Sequence, residues 1–149
     1  MPSISKSALL EVPVEVAYNV VIDVAQYPQF LPACRDVQIN SSTDAGLTAA
    51  VTVGGSVGGR AIEETFVTRN QHRPHTGVFM ALEEGPFERL EGQWTFKALG
   101  DIGCRVDVLI HYEPRGLLAR MLAGLIEPMA NRMVDAFTQR IQTVALQQS

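Results

Sequence analysis

Between residues 34 and 113 the chain offers six candidate strands, set too close together for any helix to cross between them. The strands read RDVQIN, LTAAVTVG, AIEETFVTRN, TGVFMALEE, FERLEGQWTFKAL and CRVDVLIHYE, punctuated by STDAG, GGSVGG, HRPH, GP and GDIG. Parallel neighbours need a crossover of about a dozen residues or more, so these strands must pair antiparallel in one strongly bent sheet. In the last strand Cys104, Val106, Val108, Ile110 and Tyr112 share one face, and Arg105, Asp107, His111 and Glu113 share the other. One face of the sheet can be wet, and the other needs a cover.

That cover must come last. Segment 117–146 is the only stretch long enough, and Leu118, Met121, Leu122, Leu125, Met129, Met133, Phe137, Ile141 and Val144 form a continuous helical stripe along it. Ahead of the sheet, residues 3–11 read as a strand, and Pro13 opens a helix carrying Val16, Ala17, Val20, Val21 and Val24 at helical spacing. The helix is expected to stop before Pro28, which leaves room for one turn between Pro28 and Pro32. The expected fold is α+β, a helix-grip: about seven antiparallel strands curved around a long C-terminal helix. At 149 residues, one such domain spanning 1–149 uses up the surface a chain of this size can bury.

Composition narrows the partners. A net charge of −4 argues against a DNA or RNA groove held by Lys and Arg, and no basic run is visible, although a local patch is not excluded. Cys34 and Cys104 stand seventy residues apart with no Cys-x-x-Cys or Cys/His cluster, so the expectation is two reduced, buried thiols and no zinc. The N-terminus lacks the basic-then-apolar order of a signal peptide, and no stretch approaches the ~20 apolar residues of a membrane span. A cytoplasmic protein is expected, with contact at the inner membrane limited to its surface.

Catalysis finds few candidates. His72 and His75 flank Arg73-Pro74 in what reads as a hairpin turn, and His111 lies on the wet face. Glu63-Glu64 and Glu83-Glu84 are adjacent pairs, which a strand points to opposite faces. Glu64 shares a face with Ile62 and Phe66, where a rim or ion-paired place is expected. VGGSVGGRA lacks the Gly-Lys-Ser/Thr ending of a phosphate loop and no helix follows it, so it reads as a flexible hairpin turn. No His, Asp or Glu set recurs at metal-ligand spacing.

Two stretches are greasier than packing alone requires. YPQFLPACRDV braces Phe30 and Leu31 between two prolines, and GLLARMLAGLIEPM carries only Arg120 and Glu127 as charges. Such surplus is either core with a dimer contact, or the wall of a ligand tunnel that methionines keep adaptable. Gly124 and Pro128 would let that helix bend, because proline removes the bond to the carbonyl four residues back.

YPQFLPAC, EETFVTR, EGPFERLEGQWTF and CRVDVLIHYE, in this order and over nearly the whole chain, resemble the coenzyme Q-binding START-like family. That family also contains the bacterial ribosome association toxin RatA and was once labelled oligoketide cyclase/lipid transport. The chain departs from the pattern at Ala33, where the family usually carries tryptophan. The resemblance implies a hydrophobic tunnel and non-enzymatic binding of ubiquinone or a related isoprenoid lipid in support of respiration, with no cofactor. The expected wall is Phe66, Met80, Trp94, Tyr112, Met121, Leu122, Leu125, Met129 and Met133, with Phe30 and Leu31 at the mouth. A regulator that binds the large ribosomal subunit is the alternative, and a polyketide cyclase or aromatase the third reading.

Overall fold

The computed structural model describes residues 3–31, 33–57, 59–114 and 116–148, with backbone alone at 57, 118, 119, 121–127, 129 and 148. The elements run β1 (Ser3–Leu10), α1 (Val14–Ile22), a 3-10 turn (Val24–Gln26), α2 (Tyr27–Phe30), β2 (Cys34–Thr43), β3 (Gly46–Val57), β4 (Arg60–Arg73), β5 (Gly77–Glu84), β6 (Phe87–Ala98), β7 (Cys104–Pro114) and α3 (Gly116–Gln148). All strands join one antiparallel sheet in the order β1-β7-β6-β5-β4-β3-β2. The expected helix-grip is therefore present, with α3 lying against α1, α2, β1 and β7.

Three local expectations are corrected. The first helix ends at Ile22, well short of Pro28, because Asp23 leaves the helical region (φ −84°, ψ 67°). Pro28 instead falls in the first turn of α2, where its missing N–H would have had no partner anyway. Most of the glycine-rich stretch belongs to the ladder: Gly54, Gly55 and Ser56 pair with Glu63, Ile62 and Ala61, and the turn contains Gly59 at φ +79°. His72 lies inside β4, opposite Val78, and the turn after it comprises Pro74, His75 and Thr76. His75 sits there at φ +62°.

Curvature comes from places where the ladders slip or part. Register shifts occur between Ile39 and Ser41 and between Val67 and Thr68. β5 pairs with β6 only from Gly77 to Ala81; beyond that, Leu82 and Glu84 stay with β4 while Leu90 and Phe87 follow β7. At the β2–β3 end the strands approach so closely that a Cβ on Gly46 would sit 2.0 Å from the Asn70 carbonyl oxygen.

The main core forms where α1, β1, β7 and the second half of α3 meet. Leu10, Val14, Ala17, Val21, Cys104, Val106, Phe137 and Ile141 are all buried there. α3 runs on through Pro128, whose side is exposed. Among the described residues, no helix is long and apolar enough to cross a membrane.

Candidate functional site

The concave face is set by strand alternation. Cross-strand partners point the same way, so Val108, Trp94 and Val78 form one inward row, and Ile110, Gly92, Met80 and Asn70 form the next. A third row begins with Tyr112 and Leu90.

At one end of this face aromatic rings interlock. Phe137 of α3 meets Trp94 edge-on at 4.8 Å and both Tyr27 and Phe30 at 5.2 Å, and Trp94 stacks on Phe96 at 6.3 Å. The Tyr27 hydroxyl donates to the Val21 carbonyl, tying α2 back to α1. Burial, then the Asp23 charge and Cys34, push the Tyr27 hydroxyl far above the ordinary phenol range, so it is a fixed donor. Arg140 covers Phe30, its guanidinium carbon 5.4 Å from the ring centre. Leu31 and Met133 pack against the same cluster.

About 13 Å further along β7, at the rise of a strand, lies a second group. Phe87 is buried and contacts Phe66 at 6.0 Å and Tyr112 at 6.3 Å. Met80 lies between the two groups and rests over Gly92, where a Cβ would come 3.1 Å from the Met80 methyl. The structure thus places Phe30, Leu31, Trp94 and Met133 in one group, Phe66 and Tyr112 in the other, and Met80 between them. Met121, Leu122, Leu125 and Met129 lie outside the described side chains.

The residues missed from sequence are polar. Thr68, Asn70 and His72 continue the inward alternation of Ile62, Glu64 and Phe66, and Thr68 and Asn70 are buried. Asn70 Oδ1 and His72 Nε2 are shielded from solvent and find no hydrogen-bond partner among the described residues. Burial lowers the His72 pKa, so its ring is neutral at physiological pH. The signal was available: carrying the period of two past Phe66 puts both residues inside.

His72 also lines an open depression of about 550 Å³ shared with Tyr18, Asp23, Asp44 and Pro74. A smaller one, about 190 Å³, lies between α1 and α3 beside Asn19, Phe30 and Arg140. Cys34 and Cys104 are buried, and burial raises both thiols, which keeps them protonated and poor nucleophiles. Among the described residues, no group of three His, Cys, Asp or Glu side chains could hold a metal ion. The concave face thus presents apolar and aromatic side chains together with an amide and a neutral imidazole.

A bent antiparallel sheet clasping one long helix over such a face is the architecture of START and Bet v 1-like proteins. The chain belongs to the polyketide cyclase/dehydrase and lipid transport family, whose sequence pattern matches residues 10–139. It is 39% identical over 145 residues to the persistence and stress-resistance toxin PasT of Escherichia coli strain CFT073 and to the ribosome association toxin RatA of E. coli K12. Those matches cover 97% of this chain and 89% of each relative. The mitochondrial coenzyme Q-binding protein COQ10 of Drosophila melanogaster is 26% identical over 143 residues, which is 93% of this chain and 57% of that protein.

Among solved structures, the Zhui aromatase/cyclase from Streptomyces sp. R1128 superposes with a TM-score of 0.82 at 16% identity, over 95% of this chain and 93% of that one. A START superfamily protein from Mycobacterium smegmatis gives 0.79 at 19% identity, over 95% and 98%. At such identities these structures speak for the fold alone.

Proposed function

We propose that this chain is a non-catalytic, ribosome-associating regulator of the RatA type. The observation that carries this reading is the extent of the likeness: 39% identity over 97% of the chain and 89% of RatA. Sequence reasoning ranked an isoprenoid lipid first and the ribosome second. The relatives reverse that order, because the COQ10 match is weaker and spans 57% of that protein. Protonated, buried thiols and a neutral His72 whose Nε2 finds no hydrogen-bond partner among the described residues support a role without catalysis. Sedimentation through a sucrose gradient tests it. The protein should travel with ribosomal subunits and reduce their joining; a protein that stays at the top of the gradient under all salt conditions overturns the reading.

A second reading is favoured by the concave face. A ubiquinone-like isoprenoid would lie along Trp94, Met80, Phe66 and Tyr112, under the α3 segment that contains Met121, Leu122, Leu125 and Met129, with Met133 at its end and Phe30 and Leu31 at the mouth. Asn70 and His72 would meet its head group. At about 25 cal/mol per Å², a prenyl tail losing a few hundred Å² of exposed area gains several kcal/mol, which suffices for binding without many polar contacts. Organic extraction of natively purified protein should release stoichiometric quinone. Lipid-free protein from a quinone-producing host ends this reading and leaves the ribosomal one intact.

A further inference from the structure

The convex face of the sheet carries a feature that neither reading above uses. Phe79 points away from the core, between inward Val78 and Met80, and 39% of its surface is exposed. Its neighbours along β5 on the same face are Gly77 and Ala81, too small to cover the ring. Its cross-strand partners are Gln71 on one side and Gln93 on the other, both exposed. Arg73 and Arg69 stand at the diagonals, opposite Gly77 and Ala81. The one carboxylate in this frame, Glu91, already receives a 2.8 Å hydrogen bond from Arg89. Neither Arg69 nor Arg73 has an ion pair among the described residues.

An open ring on a sheet surface, flanked by two amides and two unpaired guanidinium groups, has the chemistry that single-stranded RNA asks for. The ring stacks a base, the amides reach its edge, and the cations take the flanking phosphates. A protein partner would want a broader apolar patch than one ring among glutamines and arginines. The net charge of −4 opposes the approach of RNA at long range, and the two guanidinium groups offset it at this face.

We propose that the convex face around Phe79 docks unpaired RNA, with Arg69 and Arg73 on its backbone. As a statement about the ribosome it rests on the reading given above, and it names the surface and the chemical class that surface would touch.

The test is fluorescence anisotropy with a labelled, unstructured twelve-nucleotide RNA at low salt, run beside gradient sedimentation with ribosomes. Phe79→Ala should weaken RNA binding roughly 5- to 160-fold, the range seen when a base loses its aromatic partner. Arg69→Ala with Arg73→Ala should flatten the salt dependence by about 1.4 in log–log slope. The double arginine variant should keep the wild-type thermal midpoint, because its side chains are exposed, and Phe79→Ala should lower it by only a few degrees. Thr52→Ala, on the same face but beyond the frame, should change nothing.

RNA binding that Phe79→Ala leaves unaltered overturns the proposal, as does wild-type protein that binds no RNA. Ribosome association that depends on Phe79 without any binding to free RNA assigns the face to a protein partner, and also overturns it. RNA binding lost on Phe79→Ala in a protein that never joins ribosomes supports the face and removes the ribosomal reading.

Discussion

The two ends of the concave face are built differently. Where α1, α2 and the second half of α3 meet the sheet, Phe137 touches three other rings and is 2% exposed. At the other end Phe66, Phe87 and Tyr112 all come from strands, and Phe66 and Tyr112 remain half-buried. Between them β4 buries polar atoms that find no partner among the described residues. Among the described residues, the densest ring contacts lie at the first end. A protein that only needed to be stable would have filled the middle of β4 with valine.

The largest expected effect breaks the first end. Phe137→Ala should cost about 3–5 kcal/mol, read as a lower denaturant midpoint; a loss under about 1 kcal/mol would mean that the rings do not clasp α3 to α2 and the sheet. Next comes Gly46→Ala, whose new methyl meets a backbone oxygen of β4 that cannot move without opening the ladder. It should cost about 3 kcal/mol, at the upper end of overpacking penalties, and hydrogen exchange should accelerate in β3 and β4 before β7.

Smaller effects sharpen the contrast. Asn70→Leu removes a buried amide oxygen that finds no partner among the described residues, so stability should stay within about 1 kcal/mol of wild type or rise, as replacing unpaired polar groups by apolar ones does. A quinone whose head group meets Asn70 should be held about 2- to 10-fold more weakly by the same variant. The smallest effect is one of pH. Burial holds the folded pKa of His72 below its unfolded value near 6.5, so its contribution to stability is complete above that value and fades as pH falls below it. Melting curves from pH 7.5 to 5 should therefore fall more steeply for wild type than for His72→Gln. Parallel curves would place the imidazole in water.

Much of the architecture was legible because it rests on periods. The strand alternation of 104–112 and the stripe from Met133 to Val144 survive any rearrangement of the turns, and they appear as read. What failed depended on single backbone angles. No pattern in VVIDVAQYP announces that Asp23 leaves the helix, since Val24 continues the apolar spacing and the break comes from how α2 must turn to reach Phe137. His72 was placed in the turn because His-Arg-Pro-His looks like turn residues, yet β4 continues to Arg73 because His72 and Arg73 pair with Val78 and Gly77 of β5. Phe79 stayed invisible for a different reason. Its exposure depends on Gly77, Ala81 and two glutamines from neighbouring strands, a juxtaposition that only the register supplies.

β1 holds a consequence for how this chain comes into being. Among the described residues its only strand partner is β7, and the Ser7 hydroxyl donates to Asp107, 100 residues later. During synthesis at about 5–20 residues per second, the first strand waits roughly 5–20 s before its partner exists. For that interval an open hydrogen-bonding edge, with Leu9 beside it, is exposed to whatever surrounds the nascent chain. β1 therefore joins the sheet only after the other six strands have been made, and any factor that captures the amino-terminal strand early would stop the sheet from being completed.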